Sequence, residues 1–336
     1  MTDSAQIWLP DAEITYSCGA SLRDTLYGPA TTIWLDGELG AGKTTLLQGL
    51  LQSMGVPGPV TSPTYALEQR YTSGDGMEIL HIDLYRLKQA DADKLIAESD
   101  DFTGLRCIEW AERLSERAVR AIRIHLAETD RPGRVLNAEF EDIPLPSLED
   151  ISRWRTEAAL PGHIVRHCDA VANLCDLLGN ALLERGILLR PLALRRAAEV
   201  HDLLRFLDFK HGKALSDEPI SDEQIATWNV WKNRYPGMRH EEGCAAFLRD
   251  EGFDALAEIV AVHGLMQPSP ERVTIEQRLL FYADKRVRLD EVVTLDERFD
   301  DFRKRYGNGQ RSHEGDIWLA EAKATERELF PDGLPV

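Results

Sequence analysis

The chain predicts two domains of different class, an α/β domain over residues 1–148 followed by an all-α domain over residues 149–336. Three observations carry this expectation. At 336 residues the chain exceeds the length at which one hydrophobic core stops growing. Upstream, short β-rich apolar runs alternate with helical ones; downstream, apolar residues recur at three- and four-residue spacing.

In the first half TTIWLDG reads as a strand, KTTLLQGLLQSM as a helix and MEILHIDLYRL as a strand running into a turn. LRCIEW, AIRIHLAE and RVLNAEF read as further strands, an alternation that indicates a sheet with helices on its faces. The segment EDIPLPSLEDISRWRTEAALPG, with Pro144, Pro146 and Pro161 and many acids, reads as an interdomain connection holding a short helix. Beyond it HIVRHCDAVANLCDLLGNALL, LALRRAAEVHDLLRFL, ALAEIVAVHGL and IEQRLLFYADKRVRL keep the helical period. No internal repeat links the halves, so they are different modules joined end to end.

Composition narrows the function classes. With 43% hydrophobic and 29% charged residues the chain is globular rather than disordered. The start, MTDSAQIWLPDAEITY, lacks a basic region followed by an apolar one, and no run approaches the ~18 apolar residues of a membrane span; a cytoplasmic protein is expected. Cys18, Cys107, Cys168, Cys175 and Cys244 are odd in number, scattered and without a Cys-x-x-Cys pair, so they read as reduced thiols. The formal charge is −18; residues 1–150 hold 13 Lys and Arg against 25 Asp and Glu, and the remainder 26 against 32. Because nucleic-acid backbones are gripped by cationic side chains, strong direct nucleic-acid binding is not expected.

The sharpest motif is Gly37-Glu38-Leu39-Gly40-Ala41-Gly42-Lys43-Thr44, followed by Thr45, which fits G-x-x-x-x-G-K-[ST] between a strand and a helix. Glycines let successive N–H groups turn toward phosphates, the helix N-terminus adds its dipole, Lys43 neutralises β/γ oxygens and Thr44 offers a hydroxyl to Mg²⁺. Asp83, closing the apolar strand ILHID, is placed to hold the same Mg²⁺, and Glu109, closing RCIEW, could reach the ion or its water. No Asn-Lys-x-Asp guanine-reading motif occurs, so ATP is the expected nucleotide. No acid follows Asp83 directly, so the usual water-polarising pair is missing.

In order and spacing, GELGAGKTT, TSPTYALEQRY, HIDLYRL and CIEWAERL make the first half resemble TsaE, the small P-loop ATPase family of tRNA threonylcarbamoyladenosine (t6A) biosynthesis. The resemblance covers roughly residues 5–140. It implies a P-loop NTPase fold and a switch-like segment from Thr61 to Tyr65, including Thr64, near the γ-phosphate. It also implies that Asp83 and Glu109 hold the metal, that Trp110 lies against the nucleotide, and that a TsaB–TsaD-like complex is the partner that stimulates hydrolysis.

In the second half His163, His167, His201, His240 and His263 fall within or beside apolar helices, with Asp202 adjoining His201 and Asp284 closing the series. Imidazoles and carboxylates projected from helices into one core suit a hydrolytic transition-metal site. His167 with CDAVA, His201-Asp202 with LLR, the His240 and His263 segments and YADKR resemble the HD-domain metal phosphohydrolases over about residues 160–295. That resemblance implies an all-α HD-domain helical bundle. His240 and His263 exceed the minimal four ligands, which implies two divalent transition metals (Mn, Fe, Co, Ni or Zn) bridged by Asp202. Such ions lower the pKa of water and clamp phosphate oxygens. Arg205 is the candidate catalytic cation; Lys285, Arg286 and His163 are candidate phosphate or outer contacts.

The expectation is therefore a bifunctional protein: an ATPase supporting t6A biosynthesis, joined to a phosphohydrolase of a nucleotide phosphomonoester or phosphodiester. The alternative makes the helical half a nucleotide- or metal-sensing regulatory module without turnover.

Overall fold

The computed structural model describes residues 2–28, 31–118, 120–130, 132–209, 219–306 and 310–335. Contacts divide them into two compact units, Met1–Ile143 with Ala181–Pro191, and Pro144–Asn180 with Leu192–Val336.

The first unit runs β1 (Asp3–Leu9), α1 (Ala12–Leu22), β2 (Thr32–Gly37), α2 (Lys43–Ser53), β3 (Glu68–Thr72), β4 (Glu78–Asp83), α3 (Gln89–Ala97), β5 (Leu105–Glu109), β6 (Ile122–Glu128) and β7 (Arg134–Phe140). The strands form one sheet in the order β1-β7-β6-β2-β5-β4-β3. The central β6, β2, β5 and β4 are parallel, and antiparallel β7 with β1 and β3 flank them. The central strands read as near-continuous apolar runs because both faces are covered. On one face Trp34, Leu80, Ile82 and Ile108 pack with Ala92, Leu95 and Ile96 of α3. Strand alternation then sends His81, Asp83 and Glu109 to the opposite face.

On that face α1 and α2 cross so closely that Gly19 and Gly49 sit where a Cβ would lie 1.9 Å from Leu46 O and from Tyr16 O respectively. Residues 181–191 belong to this unit through specific bonds: Leu188 N donates to Ser21 Oγ, and Arg190, fully buried, forks onto Asp142 at 2.6 and 2.7 Å.

The second unit contains α4 (Leu148–Glu157), most of α5 (Gly162–Glu184), α6 (Pro191–Val200), α7 (Asp222–Arg234), α8 (His240–Asp250), α9 (Asp254–Ala261), α10 (Ile275–Asp284), α11 (Leu295–Tyr306) and α12 (His313–Leu329). The unit is helical as expected, with one departure: Val287–Arg288 (β8) and Glu291–Val292 (β9) form a small hairpin. Its turn residue Leu289 adopts φ 57°, and the Leu289 carbonyl accepts a hydrogen bond from His167 Nδ1. Capping boxes open α4, α7 and α10 at Ser147, Ser221 and Thr274. Among the described residues no helix is long and apolar enough to cross a membrane.

Candidate functional sites

The loop Gly37–Thr44 joins the C-terminal end of β2 to the N-terminus of α2. Gly40 (φ 81°) and Gly42 (φ 104°), the latter capping α2, take left-handed conformations that a Cβ would strain. Leu39 is 71% exposed at the loop tip, whereas Ala41 is buried. Ala41 N donates to Glu38 O at 3.1 Å. Lys43 Nζ donates to Gly37 O and Glu38 O at 2.5 and 3.0 Å and lies 3.7 Å over the Trp110 ring. Burial pulls this ammonium below its ordinary range, opposed by Glu109 and Glu112. Thr45 occupies the first turn of α2, half-buried.

Register brings the acids together. Asp83 and Glu109 are direct partners at the C-terminal ends of parallel β4 and β5, and Leu35 of β2 pairs with Glu109 on its other side. Thr44 Oγ1 donates to Glu109 at 2.9 Å. Asp83 Oδ2 accepts from Ser62 and Thr64 at 2.8 and 2.6 Å, and Asp83 Oδ1 accepts from Tyr85 N, so the 61–65 segment is tied to that carboxylate. Trp110, at φ 64°, turns its ring onto Lys43 and Tyr85. One hydroxyl and two carboxylates form an all-oxygen donor set that fits Mg²⁺. His81, missed in the sequence, is fully buried and bonds Glu109 Oε1 through Nε2 at 2.9 Å. Its two-residue spacing from Asp83 on an alternating strand was the available signal. Ser62 and Glu112 were likewise not singled out.

In the second unit the structure brings the six candidate metal ligands together: His167, His201, Asp202, His240, His263 and Asp284. His167, His201 and Asp284 form one group with ligand atoms within 4.8 Å, and His201, Asp202 and His263 a second, so His201 is shared. His240 joins the second through Nε2, 3.1 Å from Asp202 Oδ1 and 3.3 Å from His263 Nε2. Every Nδ1 is engaged elsewhere: His167 on Leu289 O, His201 on Ala198 O, His263 on Val260 O and His240 on Asp208. With each Nδ1 held on a carbonyl or carboxylate, the four Nε2 atoms converge on Asp202 and Asp284, His167 Nε2 lying 3.0 Å from Asp284 Oδ1. His201 Nε2 is buried without a hydrogen-bond partner, 3.8 Å from Asp284 Oδ1. Burial holds His263 down to about 4, hence neutral. Asp202 lies well below the usual carboxylate range: burial would raise it, but Arg205, His201 and His240 prevail. An orphaned imidazole nitrogen facing further imidazoles and ionised carboxylates fits divalent transition ions.

Arg205 follows in a 3₁₀ turn, 3.9 Å from Asp202 and against His240. Lys285 is buried on Asp284 and on His263 O. Arg286 turns instead to Val293 O and the Tyr282 hydroxyl. His163 lies one helical turn before His167, buried at the same cavity of about 610 Å³. Asp208 and Glu241, not anticipated, form a third close group with His240; the acid directly after His240 was the one local sign of it.

The family described as "Threonylcarbamoyl adenosine biosynthesis protein TsaE" matches residues 9–136. The tRNA threonylcarbamoyladenosine biosynthesis protein TsaE of Synechocystis sp. is 39% identical over 119 residues, 34% of this chain and 74% of that protein. Its counterpart from Nostoc sp. is 37% identical over 134 residues, 38% and 82% of the two chains. A solved structure described as Bacillus subtilus YdiB aligns at 24% identity over 42% of this chain and 88% of its own, with a TM-score of 0.33. With more than a third of aligned residues identical across more than two thirds of each relative, the chain belongs to the TsaE family, and residues 9–136 are its TsaE domain.

Proposed function

We propose that residues 1–148 are an ATPase that supports tRNA t6A biosynthesis, and that residues 149–336 are an HD-type, metal-dependent phosphohydrolase of nucleotide phosphoesters. For the first activity the carrying observation is the convergence of Lys43, Thr44, Asp83 and Glu109 where β2, β5 and β4 end. Gly37 to Thr44 cradle the triphosphate with backbone N–H groups, Thr45 extends the helix N-terminus, and Lys43 balances phosphate charge. Thr44, Asp83 and Glu109 hold Mg²⁺, which offsets the charge developing on the transferred phosphoryl group. Ser62 and Thr64, bonded to Asp83, couple the 61–65 segment to that site, and Trp110 walls it. No carboxylate directly follows Asp83 to activate water, which supports a hydrolysis completed by a protein partner, a TsaB–TsaD-like complex.

For the second activity the carrying observation is the convergence of four Nε2 atoms on Asp202 and Asp284. His167, His201, Asp202, His240, His263 and Asp284 would hold two ions that lower the pKa of water and polarise phosphoryl oxygens. Arg205 and Lys285 orient the phosphate and balance its charge.

The test is a paired assay on the full chain, ADP and phosphate from ATP with TsaB–TsaD supplied, and phosphate from nucleotide esters with Mn²⁺ supplied. Lys43→Ala should abolish the first and spare the second, and Asp202→Ala the reverse. Equal loss of both activities in either variant would contradict two independent sites.

A further inference from the structure

The cavity above the His/Asp cluster is lined on another side by α11 and α12, which contribute Phe299, Phe302 and Trp318. Phe299 is buried and meets Phe302 edge to face at 5.5 Å, while the Arg298 guanidinium lies 4.2 Å from the Phe302 ring centre. Trp318 donates its indole N–H to Met266 O at 3.0 Å. Phe302 and Trp318 are thus fixed by contacts of their own while remaining half-exposed at a cavity of small-ligand size.

Charge limits the other end of the ligand. Among the described residues each lysine and arginine lining the cavity meets a carboxylate. Arg239 meets Glu241 at 3.1 Å, Arg298 and Arg305 meet Asp301 at 3.3 and 2.9 Å, and Arg205 meets Asp208 at 3.5 Å. Arg303 pairs with Asp300, and Lys285 with Asp284. Among the described residues no lining cation beyond Arg205 and Lys285, which sit at the His/Asp cluster, is set out for a polyphosphate chain. Glu314 and Asp316, on the same helix as Trp318, also line the cavity and repel an anion there. The phosphate is directed to the His/Asp cluster and the uncharged part of the ligand to the aromatic wall.

We propose that this cavity takes a nucleoside monophosphate, its base stacked against Phe302 and Trp318; this rests on the phosphohydrolase reading above. A water oxygen forms the new bond to phosphorus and the bond from phosphorus to the ester oxygen breaks. One water proton ends on the departing nucleoside hydroxyl and the other on inorganic phosphate.

The experiment uses the full chain carrying Lys43→Ala, which removes the loop site. Calorimetric binding of AMP, ATP and ribose 5-phosphate is measured without metal, and phosphate release from the same three with Mn²⁺. AMP should bind and be cleaved best. Trp318→Ala and Phe302→Ala should each weaken AMP binding roughly five- to hundredfold, as loss of base stacking does. They should leave ribose 5-phosphate unchanged, and Trp318→Phe, which keeps a ring, should restore most AMP affinity. Ribose 5-phosphate or ATP binding and reacting as well as AMP, or equal losses for AMP and ribose 5-phosphate, would overturn the inference while the phosphohydrolase reading stands. Release of no phosphate from any ester, with no difference from Asp202→Ala, would overturn that reading and this inference with it.

Discussion

Gly49 lies in α2, the helix that begins at Lys43, and replacing it with alanine sets two opposed effects against each other. Helix propensity favours alanine by about 1 kcal/mol. Packing opposes it, because the added Cβ would lie 1.9 Å from Tyr16 O and 3.0 Å from Ala20 N, where ordinary contact begins at 3.4 Å. Both obstacles are backbone atoms of α1, so no rotamer change relieves them; α1 and α2 must separate by about 1.5 Å (3.4 less 1.9). Leu46, Leu47, Leu50 and Leu51, all fully buried, lie on the displaced helix. Overpacking of a tight core costs about 1–3 kcal/mol, and a 1.9 Å approach to rigid backbone belongs in the upper part of that range, about 2–3 kcal/mol, so packing wins with a net loss of about 1–2 kcal/mol. For a unit of this size that is a fall of roughly 2–8 °C in melting temperature. Scanning calorimetry is the assay, with the first unit's transition identified as the one raised by ATP and Mg²⁺. A contrast sharpens it: at Gly243 in α8 the Cβ meets Leu207 Cδ1, the end of a flexible side chain, and Gly243→Ala should cost under about 1 kcal/mol. A Gly49→Ala transition at or above that of the parent would refute the packing argument.

Three more outcomes follow from particular contacts. His81→Ala removes the buried donor to Glu109 Oε1, so the first unit should lose about 1–3 kcal/mol and ATP turnover should fall more than ATP affinity; His81→Gln should recover part of both, and unchanged kinetics would dismiss a positioning role. Lost hydration and a hydrogen bond to Asp36 push Glu112 up to about 7 from 4.5, so the folded state binds its proton more tightly than the unfolded chain between those pH values. Stability therefore declines as pH rises through that window; urea midpoints from pH 4.5 to 8 should show a flatter profile for Glu112→Gln, and identical slopes would contradict the assignment. Divalent metal at a hundredfold excess over its dissociation constant should stabilise the second unit by about 2.7 kcal/mol, roughly 5–11 °C, reversed by chelator. His201→Ala should abolish the shift, because that imidazole is shared by the group with His167 and Asp284 and the group with Asp202 and His263.

The sequence alone determined the features written in short windows. The phosphate loop and its helix lie within a dozen consecutive residues, Asp83 and Glu109 each end an apolar run, and the helical period of the second half survives averaging over each segment. Family resemblance sharpened the expected roles of Asp83, Glu109 and Trp110 and the expectation of two metals among the histidines. The antiparallel pairing of β1 with β7 and the return of residues 181–191 to the first unit are absent from any local pattern. So are His81 beneath Glu109, and Asp208 and Glu241 behind His240. Thr44 reaches Glu109 across 65 residues and His167 reaches Asp284 across 117. Periodicity says which face of an element is apolar, but which elements meet, and hence which polar atoms share a buried space, is decided by packing and hydrogen-bond satisfaction over the whole folded unit.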